Sequence, residues 1–219
     1  TGAARLAARS AMRVGAGAVK IICDANVVDI IEPQISVELI EIAHNKQDFQ
    51  NILKDKKITS ALIGPGNGVS DETKARALMA LAFIDYVVLD ADALTVFSEN
   101  PKELFIDCYP HTILTPHEGE FKKIFGNEIN NIEERSLKTA EAAKISNTIV
   151  VLKGADTVIA SPSGEVVINK SSAAYLATAG SGDVLAGIIS SLVGKNKMSA
   201  FDAACAGVWI HSEIGEILG

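Results

Sequence analysis

The sequence predicts one α/β domain with a doubly wound, mostly parallel central sheet and helices on both of its faces. Strand-like runs alternate with helical segments along most of the 219 residues, which is typical of βαβ units. Several of these runs are unbroken stretches of Val, Ile and Leu, as in strands buried on both faces. A chain of this length with 48% hydrophobic residues can bury one sizeable core. We therefore assign residues 1–219 to a single domain.

The elements are predicted in the following order. Residues 1–14 form an Ala-rich helix with a small-residue face, without the strand that an α/β unit normally places before it. The strands are 18–23, 60–64, 86–90, 112–115, 148–153, 157–160 and 166–169. The further helices are 48–56, 70–82, 117–126, 132–146, 183–193 and 199–218. The turn S-P-S-G at 161–164 joins the last two strands as a hairpin at the sheet edge.

Composition narrows the class of function. The net charge of −7 and the pI of about 5.1 argue against nucleic acid or an anionic membrane surface as the main partner. The three cysteines, Cys23, Cys108 and Cys205, lie far apart in apolar segments, so we expect reduced thiols in a cytoplasmic protein. Neither a signal peptide nor an apolar run of membrane-spanning length is visible.

The most informative stretch is A-T-A-G-S-G-D-V-L-A-G at 177–187. Gly180 and Gly182 permit backbone conformations and close ligand approach that a side chain would forbid. Apolar residues then recur at helical spacing, so a buried helix is expected to start near Gly182 or Asp183. Such a turn presents free N–H groups and the positive end of a helix dipole, which favours a phosphate-type anion. The motif is neither a phosphate loop with Gly-Lys-Ser/Thr nor G-x-G-x-x-G after a strand.

Asp183 stands where that anion would bind. A carboxylate is repelled by bound phosphate, but it suits a base that takes a proton from a hydroxyl attacking the phosphate. The alternative is that Asp183 is only a helix N-cap, for which Asp is a favoured residue.

Two further motifs follow strands, at the edge where open α/β sheets bind ligands. G-P-G-N-G at 64–68 predicts backbone packed against a flat or charged ligand, or else a plain turn. D-A-D-A-L supplies Asp90 and Asp92, which could hold a hydrated Mg²⁺ ion or cap the next helix.

The next motif, T-P-H-E-G-E, predicts Thr115 as N-cap, Pro116 near the first helical position and His117 in the first turn, facing outward as a substrate contact. K-G-A-D-T begins with Lys153, which could reach a nucleotide phosphate or simply lie on the surface. The other histidines receive no role.

Six motifs occur in one order along the chain: T-G-A-A-R-L-A-A-R-S-A-M-R-V-G-A-G, I-G-P-G-N-G, V-L-D-A-D-A-L, I-L-T-P-H-E-G-E-F, V-V-L-K-G-A-D-T-V-I-A and A-T-A-G-S-G-D-V-L-A-G-I-I. Together they resemble the ADP/ATP-dependent NAD(P)H-hydrate dehydratase family of the ribokinase-like, carbohydrate kinase-like superfamily. The resemblance implies a lyase that repairs nicotinamide nucleotides: it phosphorylates the hydroxyl of hydrated NADH or NADPH with ADP or ATP and Mg²⁺, and loss of phosphate restores NAD(P)H. It covers essentially the whole chain.

The same resemblance implies roles for individual residues. Asp183 resembles the family's base and substrate contact. The expected contacts to the hydrated nucleotide are Ala3, Gly66, His117 and Asp183. The implied anion hole is Ala179, Gly180, Ser181 and Gly182, and the implied adenine-nucleotide site is Lys153, Gly154, Ala155, Asp156, Thr157 and Gly182.

The chain departs from the family pattern in two places. S-S-A-A-Y at Ser171–Tyr175 replaces a Gly-Asn segment, which removes a polar contact near the nucleotide. Family members also carry a strand and glycine-rich turn before T-G-A and a helical stretch after Gly219, so we expect an unpaired sheet edge where that strand would lie. The family further implies a homo-oligomer, a tetramer or larger, and in some bacteria fusion to an N-terminal hydrate epimerase.

Two alternative functions are a sugar or vitamin-precursor kinase of the same fold and a non-catalytic nucleotide-binding protein. The T-P-H-E-G-E and D-A-D-A-L motifs disfavour the kinase. The altered S-S-A-A-Y segment and the missing terminal segments motivate the binding-only alternative.

Overall fold

The structure, a computed structural model, describes residues 2–34, 38–170, 174–195 and 198–218. Two sheets form within these ranges. The first is a parallel pair, β1 (Lys20–Cys23) and β2 (Leu39–Ile42). The second has six strands in chain order, β3 (Ser60–Ile63), β4 (Tyr86–Leu89), β5 (Thr112–Leu114), β6 (Ile149–Leu152), β7 (Asp156–Ala160) and β8 (Val166–Lys170). Strands β3 to β6 are parallel, and β7 and β8 add antiparallel as the predicted edge hairpin.

Helices cover both faces of the six-stranded sheet. They are α1 (Gly2–Val14), α2 (Val28–Ile31), α3 (Lys46–Leu53), α4 (Asp71–Phe83), α5 (Asp92–Thr95), α6 (Pro101–Asp107), α7 (Glu118–Asn130), α8 (Arg135–Ser146), α9 (Ser181–Lys195) and α10 (Ala200–Leu218). Helices α3 to α8 supply the core on one face, and α9 and α10 supply the core on the other.

Strand β4 shows why the apolar runs predicted buried strands. Val87 and Leu89 belong to one core, whereas Val88 between them belongs to the other, and all three are fully buried. Successive side chains of a strand point to opposite faces, so a strand covered on both sides needs apolar residues at every position. The predicted α/β class with a mostly parallel sheet is confirmed.

Several elements differ from the prediction. Strand β2 was not predicted, because Glu38 and Glu41 interrupt its apolar residues. Leu39 and Ile42 are accordingly exposed. The short helices α2, α5 and α6 were also missed, since helices of four to seven residues show little periodicity. Helix α3 begins earlier than expected, because the side chain of Asn45 caps it by accepting a hydrogen bond from the Asp48 N–H.

A gap separates the two sheets. Strands β1 and β3 are not paired with each other, and a cavity of about 510 Å³ lies between them. Both strands line it, and α1 closes one side with its small residues, Ala4, Ala7, Ala8 and Ala11.

Helix α1 packs directly on α9, as its small-residue face predicts. A Cβ placed on Gly187 would lie 2.2 Å from the carbonyl oxygen of Ala7 and from Oγ of Ser10. Oγ of Ser10 also donates to the carbonyl oxygen of Val184 at 3.0 Å. This close packing holds the first turns of α9 against α1.

Candidate functional site

The predicted anion site lies at the start of α9. Gly180 has φ +89°, and a Cβ there would lie 2.5 Å from Cδ1 of Leu6 in α1, so both conformation and space favour glycine. The first hydrogen bond of the helical turn runs from the N–H of Val184 to the carbonyl oxygen of Gly180. The N–H groups of Gly182 and Asp183 precede that bond, at the positive end of the helix dipole. The helix begins at Ser181, slightly before the start predicted near Gly182 or Asp183.

Asp183 occupies the first turn of α9 in a half-buried position. Burial raises the pKa of its carboxyl group, the negative charge of Asp90 raises it further, and the ammonium group of Lys153 opposes both. A carboxylate with increased proton affinity next to an anion site is suited to accept a proton from a reacting hydroxyl.

Lys153 follows strand β6 and points into this site. Its Nζ lies 2.7 Å from Oδ1 of Asp90, whose side chain is 2% exposed. A Cβ placed on Gly182 would lie 3.3 Å from the same Nζ, so the ammonium group stands beside the start of α9. The alternative of a surface lysine is therefore wrong.

The backbone around Asp90 is tightly constrained. Gly64, after β3, has φ +127°, and a Cβ there would lie 1.7 Å from the carbonyl oxygen of Asp90. Ala91 adopts φ 49°, ψ −118°, a strained conformation for a residue with a side chain. The neighbouring Asp92 accepts a hydrogen bond from the N–H of Gly68 at 2.7 Å. Asp90 and Asp92 thus fix the G-P-G-N-G loop against the end of β4.

His117 is the N-cap of α7, which corrects the predicted assignment. Its Nδ1 accepts from the N–H groups of Gly119 and Glu120, and the Glu120 carboxylate accepts from the N–H of His117 at 2.8 Å. Thr115, the predicted cap, is instead buried, and its hydroxyl donates to a carbonyl oxygen of β4. The capping box explains the shift, because Glu120 stands three residues after His117. The imidazole is 61% exposed, so it faces outward as predicted.

The turn at 153–157 is held by Arg135, a residue that sequence reasoning missed. Its Nη2 donates to the carbonyl oxygens of Leu152, Lys153 and Asp156 at 3.1–3.4 Å. A Cβ on Gly154 would lie 2.7 Å from that Nη2, so a side chain there would displace the guanidinium group from the turn. Arg135 lies in a separate helix, and no local pattern could have connected it with the turn.

His211, to which the sequence analysis gave no role, also reaches the site. Its Nε2 lies 3.1 Å from Oγ of Ser181. Burial lowers the pKa of His211, a hydrogen bond with the backbone of Ser181 opposes that effect, and the charge of Lys153 lowers the pKa further.

Other predicted site residues lie around the same edge. Ala3 lies in the first turn of α1, Gly66 lies in the loop after β3 with φ +72°, and Ala155 and Ala179 are exposed in turns. Of the atypical segment Ser171–Tyr175, residues 171–173 fall outside the described ranges, and Tyr175 belongs to a short 3₁₀ helix.

Among the residues that the structure describes, no three His, Cys, Asp or Glu side chains lie together so that they could hold a metal ion. The expected Mg²⁺ ion therefore has no cage of protein ligands in this part of the chain. Within the described part of the chain, none of the helices combines the length and apolar composition of a membrane span.

Comparison with known proteins agrees with this geometry. A family model described as NAD(P)H-hydrate dehydratase matches residues 1–218. The ADP-dependent (S)-NAD(P)H-hydrate dehydratase of Neisseria meningitidis is 36% identical over 227 residues, covering 100% of this chain and 73% of the relative. The bifunctional NAD(P)H-hydrate repair enzyme of Escherichia coli is 31% identical over 99% of this chain. The chain spans 41% of that longer relative.

Among solved structures, the ADP/ATP-dependent NAD(P)H-hydrate dehydratase of Bacillus subtilis, co-crystallized with ATP/Mg²⁺, has a TM-score of 0.81 and 29% identity. The match covers 99% of this chain and 76% of that one. The predicted family, ribokinase-like fold and lyase class are confirmed, and the names of these relatives agree with the expected ADP or ATP and Mg²⁺. The chain belongs to the NAD(P)H-hydrate dehydratase family.

Proposed function

We propose that this chain dehydrates hydrated NADH or NADPH in an ADP- or ATP-dependent reaction, with Asp183 as the general base. The observation that carries the proposal is the position of Asp183. Its carboxyl group, with a raised pKa, stands at the glycine-rich start of α9 beside the Lys153–Asp90 pair. The names of the Neisseria and Bacillus relatives support the substrate and the phosphoryl donor.

In the proposed reaction, Asp183 accepts the proton of the ring hydroxyl as that oxygen attacks the terminal phosphoryl group of the nucleotide. The P–O bond to the nucleotide breaks, and AMP leaves from ADP or ADP from ATP. The N–H groups of Gly182 and Asp183 and the ammonium group of Lys153 balance the charge on the phosphoryl oxygens.

The phosphate ester then loses phosphate from the ring, together with a proton from the adjacent carbon, and the dihydronicotinamide is restored. Hydroxide is a poor leaving group and phosphate a good one. The nucleotide therefore makes an otherwise slow loss of water feasible.

Different residues around Asp183 are assigned to the two substrates in this proposal. Ala3, Gly66 and His117 contact the hydrated nucleotide, which the exposed imidazole of His117 supports. The segment Lys153–Thr157 binds ADP or ATP, and Gly182 borders both. Ala179, Gly180 and Ser181 complete the anion hole.

Mg²⁺ enters as the counter-ion of the nucleotide in this proposal. The ion prefers water, phosphate oxygens and one or two carboxylates, which suits a site without a protein cage. Asp90 and Asp92 both act electrostatically on Asp183, which supports placing them where they would contact the ion through water. Each already has one carboxylate oxygen in a protein contact, with Lys153 and Gly68 respectively.

We further propose a cytoplasmic homo-oligomer, a tetramer or larger. The free thiols of Cys23, Cys108 and Cys205 support the compartment. Exposed apolar side chains along the edge strand β8 and at Trp209 support association between copies. Pairing with a hydrate epimerase is supported by the bifunctional names of the longer relatives.

The gap between β1 and β3 is proposed to take one extended strand, the strand that the family resemblance implies ahead of α1. Such a strand would join the two sheets into one doubly wound sheet. Protection of the β1 and β3 amides from hydrogen exchange in the full-length protein would support it, and rapid exchange along both edges would contradict it.

Absorbance at 340 nm tests the proposed function, because it reports the intact dihydronicotinamide ring. The full-length protein is mixed with hydrated NADPH and Mg²⁺, with ADP, with ATP or with neither. A nucleotide-dependent rise is expected. The absence of a rise with either nucleotide, despite demonstrated ADP binding, would contradict the proposal and direct the search to kinase substrates or a binding-only role.

A further inference from the structure

Helix α10 carries a histidine to the start of α9. Nε2 of His211 lies 3.1 Å from Oγ of Ser181 in a part-buried contact. One turn earlier on the same face of α10, a Cβ on Gly207 would lie 2.6 Å from Cγ1 of Ile189. Glycine at this point lets the two helices approach closely, and that approach brings His211 within reach of Ser181.

The surroundings of His211 favour the neutral imidazole at neutral pH. Burial lowers the pKa of His211, and the positive charge of Lys153 lowers it further, although a hydrogen bond with the backbone of Ser181 acts in the opposite direction. A neutral imidazole carries one N–H donor and one acceptor nitrogen. The direction of the hydrogen bond between Nε2 of His211 and Oγ of Ser181 therefore depends on which ring nitrogen holds the proton.

The hydroxyl of Ser181 has one hydrogen, which it can donate either to His211 or to a bound anion. If it donates to His211, its oxygen turns lone pairs toward an anion at the start of α9, which is unfavourable. If Nε2–H of His211 donates to Oγ instead, the hydroxyl hydrogen is free for a phosphate oxygen. A hydrogen bond to a charged acceptor is the stronger kind.

We propose that His211 is a positioning residue: its Nε2–H donates to Oγ of Ser181 and thereby directs the Ser181 hydroxyl toward a phosphate oxygen of the bound nucleotide. The identity of that anion rests on the proposed function. His211 itself touches neither substrate.

Binding of ADP, measured calorimetrically in the presence of Mg²⁺ without the hydrate, tests the pair. His211→Leu and Ser181→Ala are each expected to weaken ADP roughly tenfold, the loss expected for a hydrogen bond to a charged group. The double variant should bind no more weakly than either single variant, because both remove the same interaction. Ser212→Ala is the matched control, since Ser212 contacts Asn169 of β8 instead, and it should bind ADP as the unchanged protein does.

Two further readouts separate positioning from a packing role. His211→Gln keeps an N–H donor and should recover most of the affinity that His211→Leu loses. The ¹⁵N shifts of His211 in the ADP complex should report a proton on Nε2, with the signal assigned by its loss in the Gln variant.

The proposal is overturned by additive losses in the double variant, by unchanged ADP binding in His211→Leu, or by a proton on Nδ1 alone. It also fails if the unchanged protein does not bind ADP. Coupled ADP binding without any rise at 340 nm would leave the positioning role intact and overturn only the proposed dehydration.

Discussion

Nζ of Lys153 lies 2.7 Å from the nearly fully buried carboxylate of Asp90. The two residues are 63 positions apart in the chain and meet because β4 and β6 end at the same edge of the sheet. Burial is the largest cause of the raised pKa of Asp183, and the pair adjusts it, since the charge of Asp90 raises that pKa further and the charge of Lys153 lowers it.

Asp90→Asn should move the acid limb of the pH–activity profile to lower pH. A general base works only when ionised, so the rate falls as the pH drops through the pKa of Asp183. Removing the negative charge of Asp90 lowers that pKa, and activity should persist in more acidic solution. The profile of kcat/KM against pH measures the shift. Glu141→Gln, a neutralisation on the exposed side of α8, should leave the limb in place, and an equal movement in both variants would refute the coupling.

Lys153→Ala should weaken ADP more than it weakens the hydrated nucleotide. The ammonium group stands beside Gly182, where the phosphates are proposed to bind. The substitution also leaves Asp90 buried without its partner, so a loss of about 3 kcal/mol in the free energy of unfolding is expected as well. Separate KM values for the two substrates, measured well below the melting temperature, distinguish the effects. Equal losses for both substrates would contradict the assignment of this segment to the nucleotide.

The losses of stability caused by three Gly→Ala substitutions should rank according to backbone conformation and available space. Gly17 has open space around it and an ordinary φ, so Gly17→Ala should change stability by less than about 0.5 kcal/mol. Gly164 also has open space but φ +95°, so Gly164→Ala should cost about 1 kcal/mol. Gly64→Ala adds a contact of 1.7 Å with the backbone of Asp90 and should cost about 3 kcal/mol or more. Urea denaturation measures all three, and similar values for Gly64 and Gly164 would argue against the close approach.

The parts of the fold that the sequence predicts well are those governed by local pattern. The buried run at 86–89 and the glycine-rich start of α9 carry their signals within a few residues. His117 was misplaced by the same kind of signal, because the Pro116 preference for the first helical position competes with the capping box formed by Glu120.

The contacts that complete the site could not be predicted in this way. Arg135 reaches the 153–157 turn from another helix, and His211 reaches Ser181 from 30 residues away. Both contacts depend on how helices pack on the sheet. The pairing of Asp90 with Lys153 likewise follows from strand order, which local periodicity does not specify.

Replacement of Asp183 by Asn tests the central claim most directly. The variant keeps the shape of the side chain but cannot accept the proton, so turnover of hydrated NADPH at 340 nm should fall by roughly 10²–10⁴-fold. ADP affinity, measured in the same preparation, should stay within a few-fold of the unchanged protein. Turnover close to that of the unchanged protein would contradict the account, because Asp183 could then not be the base.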